Sequence, residues 1–423
     1  MRKYEKTHPW LKFSTNLANA PPSLWMLLGE ARSKCDHVAG APLRPTMGGF
    51  FHQLYLAKGV LATTAIEGNT LSEEEVSRRI EGKLPLPKSR EYLGKEVDNV
   101  ISAMNLVWDQ CMNQESKKLT VAEIKEFNRL VLNGLSLEED VTPGEVRQHS
   151  VGVGSYRAPP AEDCEYLLQR MCDWLNGPDF EAGEETGPVV IAIVKAILAH
   201  LYLAWIHPFG DGNGRTARML EFKTLTDAGV PSPAVHLLSN HYNATRMEYY
   251  RQLERASKSG GDVLPFISYA VQGFVDQIRT QVDAIRLEQL EVAWRSHVYD
   301  LFADKNSSGD ERRKHLILDL AEYGPQPRSR LTLVSPRVAE AYAGKTPKTL
   351  ARDINMLLEA KLLLRQDDLF IANKGPVLAF IPESNQNVSS YLKRLLDAHQ
   401  SVMRASRQGI ELPNNPSPPS EAA

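Results

Sequence analysis

Apolar residues recur at three- and four-residue steps along most of the chain, which predicts helices rather than strands. Residues 20–80 read as helices. Within them, 51–66 carries an apolar face and meets Gly68, a residue suited to ending a helix. KLPLPK at 83–88 is a Pro-punctuated connector. Helical spacing resumes over 90–112 and 120–132, where Thr120 and Glu123 stand at capping-box distance. Further helices are expected at 161–176, 188–206, 215–228 and 244–257. A longer one, about 265–303, places Ile278, Val282 and Ile285, then Leu290, Trp294, Val298 and Leu301, on recurring steps and reads as a connector.

Two stretches break this pattern. In 144–160 (GEVRQHSVGVGSYRAPP), Val151 and Val153 alternate with glycines and a Pro pair closes the run, which reads as a short β-hairpin. From 310 to about 381, helices at 311–322, 335–343 and 347–361 precede two short apolar segments, 362–365 and 369–372, split by Gln366-Asp367-Asp368. Three helices and a two-stranded ribbon resemble a winged helix-turn-helix. The end, LPNNPSPPSEAA, is Pro/Ser-rich and expected to be disordered. These changes divide the chain into an N-terminal helical region 1–115, a core 116–265, a connector helix 266–305, a winged-helix-like domain 306–382, and a C-terminal helix and tail 383–423.

A chain of 423 residues has material for two to four buried cores. Its net charge of −3 argues against a protein whose main work is coating nucleic acid. Cys35, Cys111, Cys164 and Cys172 show no CxxC spacing, which supports neither a disulfide framework nor a zinc site and fits a reducing cytosol. The segment 188–206 has the length of a membrane span, but Lys195 and His200 interrupt it and a polar Gly-rich motif follows. It reads as a helix buried on all sides of a soluble, cytoplasmic protein without membrane contact.

That motif, His207 to Arg218 (HPFGDGNGRTAR), concentrates chemistry in twelve residues. Gly210, Gly212 and Gly214 stand directly before a helix. Glycines let backbone N–H groups turn toward a ligand, and a helix N-terminus adds partial positive charge, so the pair suits phosphate. Arg215 and Arg218, three apart on one face, can each fork onto phosphate oxygens. Asp211 offers the hard oxygen that Mg²⁺ takes beside substrate phosphates. His207, at the end of a buried helix, is a general-base candidate. Phe209, the one large apolar side chain in the loop, is expected to anchor it.

The segment resembles the complete signature of the Fic family, H-P-F-x-D-G-N-G-R-x-x-R, with no position departing. The resemblance, which covers about 20–270, implies a mainly α protein: a Fic helical core with a β-hairpin flap that transfers AMP from Mg-ATP to a hydroxyl side chain of a target protein. By that likeness His207 deprotonates the attacking Ser, Thr or Tyr, and Asp211 holds a Mg²⁺ bridging the α- and β-phosphates. Asn213 and the loop amides of Gly210, Gly212 and Gly214 hold the α-phosphate, Arg215 the β-phosphate and Arg218 the γ-phosphate. Relatives that act as kinases carry Lys where Gly214 stands, so the sequence favours nucleotidyl transfer.

TTAIEGN at 63–69 resembles the family's inhibitory helix, [S/T]-x-x-x-E-[G/N], placed here at about 51–68. Thr63 and Glu67 are four apart on one face. The likeness implies that Glu67 pairs with Arg218 and keeps the γ-phosphate from its productive position. The hairpin resembles the family's flap, whose Val151, Gly152, Val153 and Gly154 would pair with an extended target segment by main-chain hydrogen bonds. It also suits an ordinary exposed turn. Tyr249 and Tyr250 match a Tyr pair near the adenine of relatives, though such a pair on a helix also suits a core. Ser257 stands where some relatives carry an Asn, a departure at the adenine corner.

In the C-terminal module, Arg337, Lys345, Lys348 and Arg352 lie on or near the helices that would meet DNA. Across 310–374 twelve Lys and Arg face nine Asp and Glu, and Asp353 and Glu359 share the third helix. The module therefore suits DNA binding or protein contact, a homodimer or target presentation. The expected function is a protein adenylyltransferase (AMPylator) using ATP and Mg²⁺ and restrained by Glu67. The alternatives are a DNA-binding regulator whose Fic domain senses nucleotide, and an enzyme that uses Glu67 to position water and remove AMP.

Overall fold

A computed structural model describes residues 2–113, 118–154, 156–183, 187–378 and 390–397. They fall into two compact units, 1–282 and 283–400. Apart from 390–397, which are helical, the expected C-terminal helix and tail lie outside the described residues.

Among the described residues the regular elements of the first unit are helices and one hairpin. Helix α1 (Pro22–Gly40) and helix α2 (Pro45–Ala65) each open on a proline, whose fixed φ suits a first turn. α2 therefore begins at Pro45, ahead of the predicted 51. Helix α3 (Glu73–Ile80) opens on a full capping box: the Glu75 N–H donates to Ser72 at 3.2 Å and the Ser72 N–H to the Glu75 carboxylate at 2.9 Å. Helices α4 (Glu91–Met112) and α5 (Val121–Val131) follow, the second capped by Thr120, which accepts from the Glu123 N–H at 3.2 Å.

Strands β1 (Gly152–Val153) and β2 (Tyr156–Arg157) pair antiparallel, with Gly152 opposite Arg157 and Val153 opposite Tyr156. Then come helices α6 (Ala161–Leu175), α7 (Pro188–Ile206) and α8 (Asn213–Asp227). α7 is apolar and long enough to cross a membrane, yet it is buried along nearly its whole length against its neighbours, as a core helix is. α8 starts at Asn213, two residues ahead of expectation. Helix α9 (Leu237–Ala244) lies where no helix is predicted, because HYNA dilutes its apolar face to Leu237, Leu238 and Tyr242. Helix α10 (Arg246–Lys258) precedes the 39-residue helix α11 (Leu264–Phe302), within which the division at 282/283 falls.

In the second unit, helix α12 (Ser308–Tyr323) is capped by Ser307, which accepts from the Asp310 N–H at 3.2 Å and so starts the helix before the predicted 311. Strand β3 (Gln326–Pro327), helices α13 (Pro336–Tyr342) and α14 (Pro347–Glu359), and strands β4 (Leu363–Gln366) and β5 (Leu369–Ala372) complete it. The sheet order is β3-β5-β4, all antiparallel. β3 adds a strand that the sequence does not announce: two residues long and ending in Pro, it can only sit at an edge. Leu316, Ile317, Leu320, Val338, Leu357 and Phe370 build the core. Asp353, fully buried, accepts from Arg312 at 2.7 Å, Arg313 at 3.1 Å and the Tyr342 hydroxyl at 3.1 Å.

Candidate functional site

α7 ends at His207, whose N–H still donates to the Leu203 carbonyl at 2.8 Å. Its φ of 45° lies in the left-handed region, which costs a residue with a side chain roughly 1–2 kcal/mol. Pro208 cannot extend the ladder. Arg147 holds the turn: its Nε donates to the His207 carbonyl at 2.8 Å and its backbone N–H to that of Pro208 at 3.0 Å.

The loop that follows is stapled from inside. Phe209 is 1% exposed and anchors it as expected. Asn213 is buried, and its side chain closes a reciprocal pair with Phe209: the Phe209 N–H donates to its Oδ1 at 3.0 Å and its Nδ2 donates to the Phe209 carbonyl at 2.9 Å. Both polar ends of Asn213 are thus engaged within the loop. What Asn213 offers a ligand from this position is its main-chain N–H at the start of α8. Asn128, which sequence reasoning missed, ties the loop from α5. Its Nδ2 donates to the Asp211 carbonyl at 2.9 Å, and its Oδ1 accepts from the Gly144 N–H at 2.9 Å. Gly212 turns with φ 75°, where a Cβ would press on Asn128 and Leu132. The first amides of α8 have no intrahelical partner by position.

The charges are ordered by depth. Asp211 is half exposed, while Arg215 is buried and lies 3.3 Å from Asp211 and 3.4 Å from Glu96, an acidic neighbour absent from the motif. Burial pushes the His207 pKa down to about 4, and the Arg147 charge adds to this against the pull of the Ala204 carbonyl, Glu67 and Asp211. The half-buried ring is neutral at pH 7. Among the described residues no group of three His, Cys, Asp or Glu converges as a metal cage.

Glu67 lies just past the end of α2 and accepts from Arg218 Nη2 at 2.6 Å, and the same nitrogen donates to the Thr63 carbonyl at 2.9 Å. Thr63 thus reaches the site through its main chain. Arg218 is 1% exposed, and its Nε and Nη1 are buried without a partner among the described residues. Burial alone would raise the Glu67 pKa; the Arg218 charge and hydrogen bond, with Arg215 and His207, hold it below the usual carboxylate range. A Cβ on Gly214 would stand 2.1 Å from the Glu67 Oε1, so the close approach requires glycine there.

From α10, Arg246 Nη2 donates to the Ala65 carbonyl at 2.6 Å and also to that of Ile66, and the Tyr250 hydroxyl donates to Ile66 at 3.2 Å. These two side chains grip the end of α2. Tyr249 is buried instead: its hydroxyl meets His200 Nε2 at 2.8 Å and its ring stacks on Tyr242 of α9 at 4.8 Å. Of the Tyr pair, Tyr249 is a core residue, which corrects its expected place beside adenine. Val153 of the hairpin is 51% exposed.

Residues 118–225 match the Fic/DOC family. That span resembles a Fic domain. The matched span holds the whole loop from His207 to Arg218, Asn128 and Arg147, and leaves Glu67 and Tyr249 outside. The Fic domain has named relatives. The chain is 31% identical over 230 residues to protein adenylyltransferase fic-1 of Caenorhabditis briggsae, covering 54% of this chain and 41% of that one. It is also 31% identical over 248 residues to protein adenylyltransferase Fic of Nematostella vectensis, covering 58% and 52%. The chain thus spans about half the length of the curated relatives it matches. A Fic family protein from Desulfovibrio desulfuricans G20 shares the fold at TM-score 0.51 and 20% identity, over 86% of this chain and 99% of that one. Fic-1 (aa134–508) from C. elegans superposes at TM-score 0.50 with 25% identity, over 63% and 73%.

Proposed function

We propose that this chain is a protein adenylyltransferase that moves AMP from Mg-ATP onto a Ser, Thr or Tyr hydroxyl of a target protein and is restrained by its own Glu67. The observation that carries this is Arg218, a buried cation with two unpartnered donors and its third group on Glu67. Buried donors left unmade are costly, and the terminal oxygens of a triphosphate would satisfy them once Glu67 withdraws. The relatives named protein adenylyltransferase support the reaction class.

The chemistry follows from the geometry. His207 Nδ1 lies 3.4 Å from the Ala204 carbonyl, which favours a proton there and leaves the lone pair on Nε2. Nε2 takes the proton of the target hydroxyl. The freed oxygen bonds to the α-phosphorus as the bond from that phosphorus to the bridging β-oxygen breaks, and pyrophosphate leaves. Arg215, Arg218 and the positive end of α8 receive its charge. Mg²⁺, when bound with the triphosphate, neutralises phosphate charge; Asp211, a half-exposed hard oxygen, fits an ion held mainly by substrate phosphates. The exposed edge at Gly152–Val153 offers main-chain groups to an extended target segment.

The test is Glu67→Gly protein incubated with α-labelled ATP and Mg²⁺. Label should appear on the protein itself or on lysate proteins at least ~10-fold above the parent, in keeping with a charged hydrogen bond of about 1.5–3 kcal/mol, and vanish on adding His207→Ala. A folded Glu67→Gly protein that transfers nothing sinks the proposal.

A second reading concerns the unit 283–400, which we take as a winged helix-turn-helix that binds duplex DNA. Its elements run helix, strand, helix, helix, strand, strand in the sheet order β3-β5-β4. On α14, Lys348, Arg352 and Asn355 form one exposed stripe, types that suit phosphate, guanine and adenine. Asp353 is buried under Arg312 and Arg313 and does not oppose them, although Arg337 is drawn off by Asp319. A mixed duplex library should bind with a salt-dependent affinity that falls in Lys348→Ala/Arg352→Ala. No binding at low salt leaves protein contact as the role of the face.

A further inference from the structure

Arg147 lies in the irregular segment before the hairpin, 3% exposed, and among the described residues it has no ion-pair partner. Its guanidinium reaches three main-chain carbonyls instead: Nε to His207 at 2.8 Å, Nη1 to His149 at 2.6 Å and Nη2 to Pro159 at 2.7 Å. Its own N–H donates to Pro208 at 3.0 Å. His149 and Pro159 bracket the hairpin on either side, and His207 and Pro208 open the loop that carries the imidazole.

We propose that Arg147 is a positioning residue, a single rigid fork that sets the distance between the hairpin and His207. For its chemical consequence this rests on the adenylyl-transfer reading, in which the hairpin presents the hydroxyl and His207 takes its proton. The geometry stands without it. A cation buried with only neutral partners is expensive, so a residue retained solely to brace a loop need not be one. What the guanidinium alone supplies is a planar set of donors at fixed angles, three of them used here in three directions; a lysine ammonium has no such frame. One of those carbonyls belongs to His207, whose left-handed backbone needs an outside hold to persist. The hairpin has a second tie, the Tyr156 hydroxyl on the Trp205 carbonyl at 2.7 Å, but that bond stops short of the loop. Arg147 bonds both.

The experiment uses the full chain carrying Glu67→Gly, with Arg147→Ala and Arg147→Lys added. A misplacement of about 1 Å costs on the order of 10²-fold, so Arg147→Ala should lose roughly that in kcat while its KM for ATP stays within about threefold and its KM for the protein acceptor rises. Arg147→Lys should fall between, and millimolar guanidinium should restore part of the Arg147→Ala rate. In the Glu67 parent background, hydrogen exchange of peptides covering 149–159 and 203–210 should accelerate together in both variants. That readout stands even if the Glu67→Gly protein labels nothing, a result that overturns adenylyl transfer alone. Unchanged kcat and acceptor KM in a folded Arg147→Ala protein overturn the proposal. So does exchange that rises in only one of the two segments, or equally throughout 1–282, since each describes a local or general loosening.

Discussion

A methyl group at position 214 should act as a wedge. An added Cβ there would stand 2.1 Å from the Glu67 Oε1, where an ordinary contact is 3.4–4 Å, so the carboxylate must retreat by roughly an ångström or more. Its 2.6 Å bond with Arg218 then passes out of hydrogen-bond range. A charged hydrogen bond contributes about 1.5–3 kcal/mol, and each 1.4 kcal/mol is tenfold, so Gly214→Ala should raise labelling by α-labelled ATP roughly 10- to 150-fold. Glu67 is a third exposed, which places the expectation toward the lower end. The backbone permits the change, since Gly214 sits in the first turn of α8 without a positive φ. Combined with Glu67→Gly, the methyl has no carboxylate to displace and should alter the rate less than about threefold, because coupled effects do not add. A Gly214→Ala protein as silent as its parent, beside an active Glu67→Gly protein, refutes this reasoning. So does a double variant that loses activity, which assigns the space to nucleotide.

Acidity should not open the site. The Glu67 carboxyl is held below its usual 4.5, so its contact with Arg218 persists at neutral pH and is lost only as pH falls through that lowered value. His207 takes its own proton at about 4, so on the proposed reading the base would fail as the restraint goes. The parent should stay silent from pH 8 to 4, and Glu67→Gly protein, which lacks a charge that raises the His207 pKa, should lose half its rate only at about pH 4 or below; a midpoint near 6.5 in a rate profile contradicts the burial of His207. Asn128→Ala leaves the Asp211 carbonyl and the Gly144 N–H unpaired, at about 1–3 kcal/mol each, and should lower the thermal midpoint measurably. Asp353→Ala strips the shared counter-charge from Arg312 and Arg313, at roughly 3–5 kcal/mol. Hydrogen exchange should rise across 308–372 and stay unchanged across 188–227.

What the sequence made legible was local. The motif from His207 to Arg218 announces its own turn because glycines, a proline and a helix start are adjacent in the chain. Glu67 is visible through the likeness of TTAIEGN to an inhibitory motif, although it falls in the turn after α2 and not on its face, and Phe209 because it is the only bulky apolar side chain in the loop. What stayed hidden depends on distance. Arg147 meets a carbonyl 60 residues away, Asn128 one 83 residues away and Arg246 one 181 residues away, and a main-chain carbonyl has no residue type to betray it. The staple that the Asn213 side chain makes with Phe209 was hidden because a side chain that can face a phosphate can equally close its own loop. Tyr249 was misjudged because Tyr242, its stacking partner, sits on a helix whose polar composition concealed it. The faint signal for Arg147 is a charged residue in a Gly- and Val-rich segment with no helical partner.

The carboxylate and guanidinium that meet at 2.6 Å are 151 positions apart in one polypeptide. A contact of that kind forms at the effective concentration set by the fold, far above that of any free partner in solution, and it has no stoichiometry. Dilution cannot weaken it, nor can a rival binding partner titrate it away. Whatever parts the pair must act within the fold, on α8 beside the arginine or on the end of α2, where Arg246 and Tyr250 already have hold of the backbone.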